Sequence, residues 1–158
     1  MYITRKEMLK HLKAYKHLPP FKFSPAKKGM LPKPLNHLRS SHYCTDLLNL
    51  GSNYRLVFVW KDNELWERRA INAYFFLTKE DNLYPLARID YHPSHKELHI
   101  HISCEDMRDL TNRNLAGIKE FNLKLKKPID PAIETDRMRF VNIVSERLGI
   151  QTENCDDE

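Results

Sequence analysis

The sequence contains no long apolar run. Nowhere in its 158 residues do apolar side chains continue for the roughly 18 positions a membrane-spanning helix needs, and the N-terminus has no signal-peptide-like run. Cysteine is scarce: Cys44, Cys104 and Cys155 are odd in number, scattered and without Cys-x-x-Cys spacing, which argues against a disulfide framework. No internal repeat is evident. These absences predict a soluble, cytoplasmic protein of one ordinary domain without a membrane partner.

Acidic residues are nearly missing from one part of the chain. Residues 1–61 hold 12 Lys/Arg against Glu7 and Asp46 alone, a net charge of +10. Residues 62–158 hold 14 against 19, a net charge of −5, so the total is +5. Such asymmetry suggests a footprint for RNA or another polyanion; a basic arm folded back onto an acidic body is the plainer alternative. Hydrophobic residues make up 41%, enough for one core, while 30% charged residues and a mean hydropathy of −0.63 imply a very polar surface.

Thr4-Arg5-Lys6-Glu7 is a capping-box pattern, followed by Met8, Leu12 and Tyr15 at helical spacing, so a basic helix is expected over about 4–17. Pro19-Pro20 ends it. Residues 18–42 hold five of the nine prolines, interleaved with Phe21 and Phe23, and show no core periodicity. This reads as an extended arm whose Lys22, Lys27, Lys28, Lys33 and Arg39 are candidate nucleic-acid contacts. Strands are expected at Arg55–Trp60, Ile71–Thr78, Leu83–Tyr91 and Glu97–Ser103, with a fifth over residues 121–126. Asp130-Pro131 marks the start of a last helix, Asp as N-cap and Pro at the first position, and Gly149 its end. The expected fold is α+β: an antiparallel meander of about five strands with an N-terminal helix, a basic Pro-rich arm and a C-terminal helix. The expected divisions are 1–53 for helix and arm, 54–150 for the body and 151–158 for an acidic tail.

Four of the eight histidines, His92, His95, His99 and His101, fall within ten residues. Alternate strand positions share a face, so Leu98, Ile100 and Ile102 point to a core while His99 and His101 point away. Pairing Tyr91 with Leu98 sets Ile89 opposite Ile100, Asp90 opposite His99 and Arg88 opposite His101. Apolar then meets apolar throughout, which favours this register over a one-residue slip.

Three readings of that face remain open. As a ribonuclease site, His99 oriented by Asp90 is the base, His101 the acid and Arg88 the phosphate clamp, with no metal needed. As a zinc site, His92, His95, His99 and His101 supply ligands, although no standard zinc spacing is matched. As a solvated hairpin face, the residues do nothing specific. Lys96 at the turn, and Arg108 and Arg113 in the polar stretch after the hairpin, would extend a phosphate-binding surface; a solvated loop or helical turn is the alternative for that stretch. Cys104 is expected to be unreactive, because Glu105, Asp106 and Asp109 nearby disfavour a thiolate. His92-Pro-Ser94 and His101-Ile-Ser103 lie too close together to be the paired elements of a two-histidine phosphoesterase.

The stretch from Arg88 to His101, with Arg-x-Asp followed by a histidine-rich turn, resembles a signature of the TumE-type toxins of bacterial toxin–antitoxin pairs. The resemblance touches Arg88, Asp90, His95, His99 and His101. It implies a small α+β body, an RNA target and an antitoxin or other protein partner. A non-enzymatic binding or inhibitor protein from a mobile element would share the charge pattern without the chemistry.

Overall fold

The computed structural model describes residues 3–94, 97–104, 107–111 and 125–152. The capping box forms at Thr4: the Glu7 N–H donates to Thr4 Oγ1 and the Thr4 N–H to Glu7 Oε1, each at 3.1 Å. Helix α1 (Arg5–Lys13) buries Met8 and Leu12. It stops well before residue 17, leaving Tyr15 exposed, because the chain turns into a short strand, β1 (Lys16–His17). Lys16 is fully buried, and its Nζ donates to the carbonyls of His11, Leu12 (3.3 Å) and Ala14 (2.8 Å) at the end of α1. A cation there satisfies carbonyls that the helix leaves open and lies at the negative end of its dipole.

The main sheet is built from β2 (Ser24–Pro25), β3 (His42–Cys44), β4 (Leu48–Asn49), β5 (Tyr54–Lys61), β6 (Ala70–Lys79), β7 (Asn82–His92), β8 (Glu97–Cys104) and β9 (Met107–Thr111). It is antiparallel, in the order β2-β3-β5-β6-β7-β8-β9, with β4 also paired to β5. The α+β class is as expected, but the sheet has eight strands among the described residues rather than about five. The four long expected strands are β5 to β8. Three of the additions span two or three residues, too short for alternation to register in a sequence. The fourth, β9, occupies the stretch expected to be a loop or helical turn. Of the strand expected over 121–126, residues 121–124 lie outside the described residues, and Leu125 and Lys126 are not in a strand.

Helix α2 (Glu134–Arg147) begins later than Asp130, with Ile133 in the N-cap position. Asp130 has other partners: Arg69 Nη1 donates to both its oxygens at 2.9 Å, and the Ala132 N–H to one of them at 3.0 Å. Gly149 ends α2 at φ +69°, as expected of a C-terminal glycine. A strand β10 (Ile150–Gln151) then pairs in parallel with β1, so Gln151 lies in a strand, and residues 153–158 of the expected tail are outside the described residues.

The two faces of the sheet are covered differently. On one, Leu56, Phe58, Ile71, Phe75, Tyr91, Leu98 and Ile100 pack with Met8 and Leu12 of α1 and Phe140, Val141 and Val144 of α2. On the other, Val57, Val59 and Phe76 lie under Ala26, Leu31, Leu35 and Leu38 of the proline-rich arm. The arm is thus packed on the sheet; Leu31, Leu35 and Leu38 have the i, i+4, i+7 spacing of a helix, but with Pro32 and Pro34 among them the segment forms turns instead.

Candidate functional site

The register of β7 and β8 is the one argued from the sequence: Tyr91 opposite Leu98, Asp90 opposite His99, Arg88 opposite His101. Strand β6 extends both rows, placing Asn72 opposite Asp90 and Tyr74 opposite Arg88. These side chains share the face that carries the arm. Asp90 is not exposed there; only 5% of its surface is accessible. A buried carboxylate needs partners, and three are present. Asn72 Nδ2 donates to Oδ1 at 2.6 Å and Arg88 Nε to Oδ2 at 3.0 Å, while His101 Nε2 stands 3.5 Å from Oδ2. Arg88 and His101 are themselves partly exposed, at 43% and 35% of their side chains. Asp90 is therefore an anchor below the surface, and Arg88 and His101 are the groups it presents.

They are presented to a cleft of about 340 Å³ between sheet and arm. Tyr74, Arg88 and His101 line the sheet wall, and Pro34, Leu35 and His37 the arm wall. Burial pushes the Tyr74 phenol up, the Asp90 carboxylate adds to this and Arg88 opposes it, so Tyr74 remains an O–H donor at neutral pH. The His99 ring lies 4.8 Å from that of His101, tilted by 44°, but His99 does not line the cleft. Its expected pairing with Asp90 holds for the backbone register, while the described carboxylate contact belongs to His101. Residues two apart on a strand lean along it, so a side chain can meet the diagonal neighbour instead of the one opposite.

Lys22, Lys27, Lys28, Lys33 and Arg39 are all exposed on the arm. Lys33 directly precedes Pro34 of the cleft wall. Lys96 and Arg113 lie outside the described residues; Arg108 falls in β9, and nothing is described of its side chain. His95 also lies outside the described residues. Among those described, no group of three or more His, Cys, Asp or Glu is arranged to hold a metal ion.

Asn72, Tyr74 and His37 were not anticipated. The first two carried a usable signal, since extending the hairpin register by one strand sets Asn72 beside Asp90. His37 had none, because its place depends on how the arm folds over the sheet. A second cleft, of about 510 Å³, runs between residues 18–23 and α2. Of its lining cations, Arg137 is held within the protein: it lies over Trp60 at 4.3 Å and Phe23 at 5.7 Å and donates to the Pro131 carbonyl. The smaller cleft is the one lined by Tyr74, Arg88, His101 and His37. No family model, curated protein or solved structure matches the chain. No helix among the described residues is long and apolar enough to cross a membrane.

Proposed function

We propose that this cleft binds a phosphodiester of single-stranded RNA and cleaves it by acid–base catalysis using the chain's own side chains. One observation carries the reading: the buried Asp90 carboxylate holds Arg88 and His101 together at the wall of a cleft whose other wall is the basic arm. Cleavage of RNA by its own 2′-hydroxyl needs proton transfer at two oxygens and positive charge at the phosphorane. Arg88 hydrogen-bonds through Nε and, among the described residues, through neither Nη, so its fork remains for phosphate oxygens. His101 exchanges a proton with substrate, and the Asp90 carboxylate beside its Nε2 offsets the charge of the imidazolium. Tyr74 supplies a further O–H donor, and the exposed arm cations draw in the strand. The local resemblance to TumE-type toxins points to the same substrate class.

The test is cleavage of a short single-stranded RNA by the purified protein, with and without chelator, beside His101→Ala. Cleavage that survives chelator and falls roughly 10²–10⁴-fold in the variant supports the reading. Binding of RNA without cleavage would make the cleft part of a binding module, and neither binding nor cleavage would end the proposal.

A further inference from the structure

We infer that His37, on the arm, is the second catalytic residue of this cleft and takes the proton from the 2′-hydroxyl. The inference rests on the cleavage reading above. In-line displacement puts the attacking and leaving oxygens on opposite sides of phosphorus, so base and acid must face each other across it. His99 and His101 do not meet that requirement: they are two apart on one strand, and of the two only His101 lines the cleft. His37 stands on the opposite wall.

Its ring is also set in the right form. His37 Nδ1 lies 3.0 Å from the Pro34 carbonyl oxygen. A carbonyl only accepts, so the proton of the neutral ring sits on Nδ1 and Nε2 keeps its lone pair. No described residue donates to Nε2. His101 differs, because its partner is a carboxylate, which offsets the positive charge that a general acid carries before it gives up its proton; a carbonyl partner gives His37 less of that support and leaves it suited to start as the neutral base. The roles follow: His37 Nε2 takes the 2′-hydroxyl proton as that oxygen bonds to phosphorus, and His101 gives a proton to the 5′-oxygen as the P–O5′ bond breaks. The products are a 2′,3′-cyclic phosphate and a 5′-hydroxyl. Atoms balance, and nothing is oxidised or reduced.

The charged and titratable groups around His37 are Arg88, Tyr74 and His101 across the cleft, His42 nearby, and Lys33 and Arg39 on its own segment. None of them replaces it as a neutral base on the arm wall. The experiment compares pH–rate profiles for a short RNA in wild type, His37→Ala, His37→Gln and His101→Ala, and affinity for the 2′-deoxy strand, which cannot be cleaved. In His37→Ala the rate should fall at least roughly 10²-fold and lose its acidic limb, while affinity and melting temperature hold. His101→Ala should lose the alkaline limb instead. His37→Gln should behave like alanine; activity near wild type in that variant would make His37 a positioning residue and overturn the inference. Wild-type cleavage with both limbs intact in His37→Ala would overturn the inference alone. A wild type that does not cleave would overturn the cleavage reading and this inference with it.

Discussion

Lys16, in the separate β1–β10 pair, and Asp90, in β7, are buried on opposite sides of the main sheet, and the difference between their partners separates a structural charge from one that prepares a site. Lys16 is satisfied by backbone carbonyls at the end of α1 and stacks near the Tyr54 and Phe75 rings, at 4.9 and 5.8 Å from their centroids. Among the described residues, no carboxylate pairs with it. These contacts are all parts of the fold, so its charge serves to close the end of α1 over the sheet. Asp90 is satisfied by side chains, and two of those, Arg88 and His101, continue to a cleft. A buried charge whose partners end in the core holds the fold; one whose partners reach a cleft prepares groups for a ligand.

The largest expected effect breaks the Asp90 side of this contrast. His101→Ala should lower RNA cleavage roughly 10²–10⁴-fold with little change in melting temperature, because the ring is partly exposed. Asp90→Asn should do both kinds of damage. It removes the charge that holds Arg88 and His101, and it leaves a buried amide facing the donor of Asn72, at a cost of about 1–3 kcal/mol. Denaturant unfolding beside a rate assay separates the two. An Asp90→Asn protein of unchanged stability would mean that the carboxylate is not the anchor described.

Gly149→Ala attacks the Lys16 side. At φ +69° a side chain is strained whatever the space, and an added Cβ would lie 2.0 Å from the Leu12 carbonyl oxygen, an acceptor of Lys16. The left-handed conformation alone costs about 1–2 kcal/mol, and backbone must also shift. A loss of roughly 2–4 kcal/mol in unfolding free energy is expected. Cleavage per folded molecule should not change; a fall in it would show that the two faces are coupled.

Lys16 itself gives a smaller, signed effect. Burial holds it down to about 8 from an ordinary 10.5. Between those values the unfolded chain keeps a proton that the folded chain has lost, so stability rises with pH, by at most about 1.4 kcal/mol per unit. Below pH 8 both forms are charged and the slope vanishes. Cys44 and Tyr54 work the other way, since burial raises both from ordinary values of 9.0 and 10.0, so their contributions are lost only as pH rises beyond those values. Just above pH 8 the rising slope therefore comes mainly from Lys16, and Cys44 begins to oppose it as pH nears 9. Lys16→Met should flatten unfolding free energy there, and a slope that persists in the variant would assign it to another group.

The hairpin was legible because both its signals are local. Leu98, Ile100 and Ile102 alternate with His99 and His101, and a two-residue period excludes a one-residue slip, which would set apolar side chains against polar ones. The cleft was not legible for the opposite reason. Its second wall is the segment around Pro34 and His37, held by Leu31, Leu35 and Leu38 on Val57, Val59 and Phe76, contacts between residues far apart in sequence. Lys16 was equally hidden: among the lysines of a basic N-terminal region, nothing in the sequence distinguishes the one turned inward. Asp130 shows a third kind of miss, where a sound local signal for a helix start was overridden by an arginine 61 residues away.

The smallest expected effect tests whether the two faces also differ toward a polyanion. Lysines are exposed on both: Lys6 on α1, over the large core, and Lys33 on the arm, beside the cleft wall. If binding followed net charge alone, Lys6→Gln and Lys33→Gln would weaken it equally. If the strand runs along the arm, only Lys33 neutralises a phosphate, and each such contact on a single strand contributes about 0.7 to the slope of log affinity against log salt. Lys33→Gln should then reduce that slope by about 0.7 and affinity a few-fold, while Lys6→Gln leaves both unchanged. Titrations of the 2′-deoxy strand across a series of salt concentrations read both quantities without cleavage. Equal losses in the two variants would reduce the basic half of the chain to a diffuse field, and leave the cleft to attract its substrate through Arg88 alone.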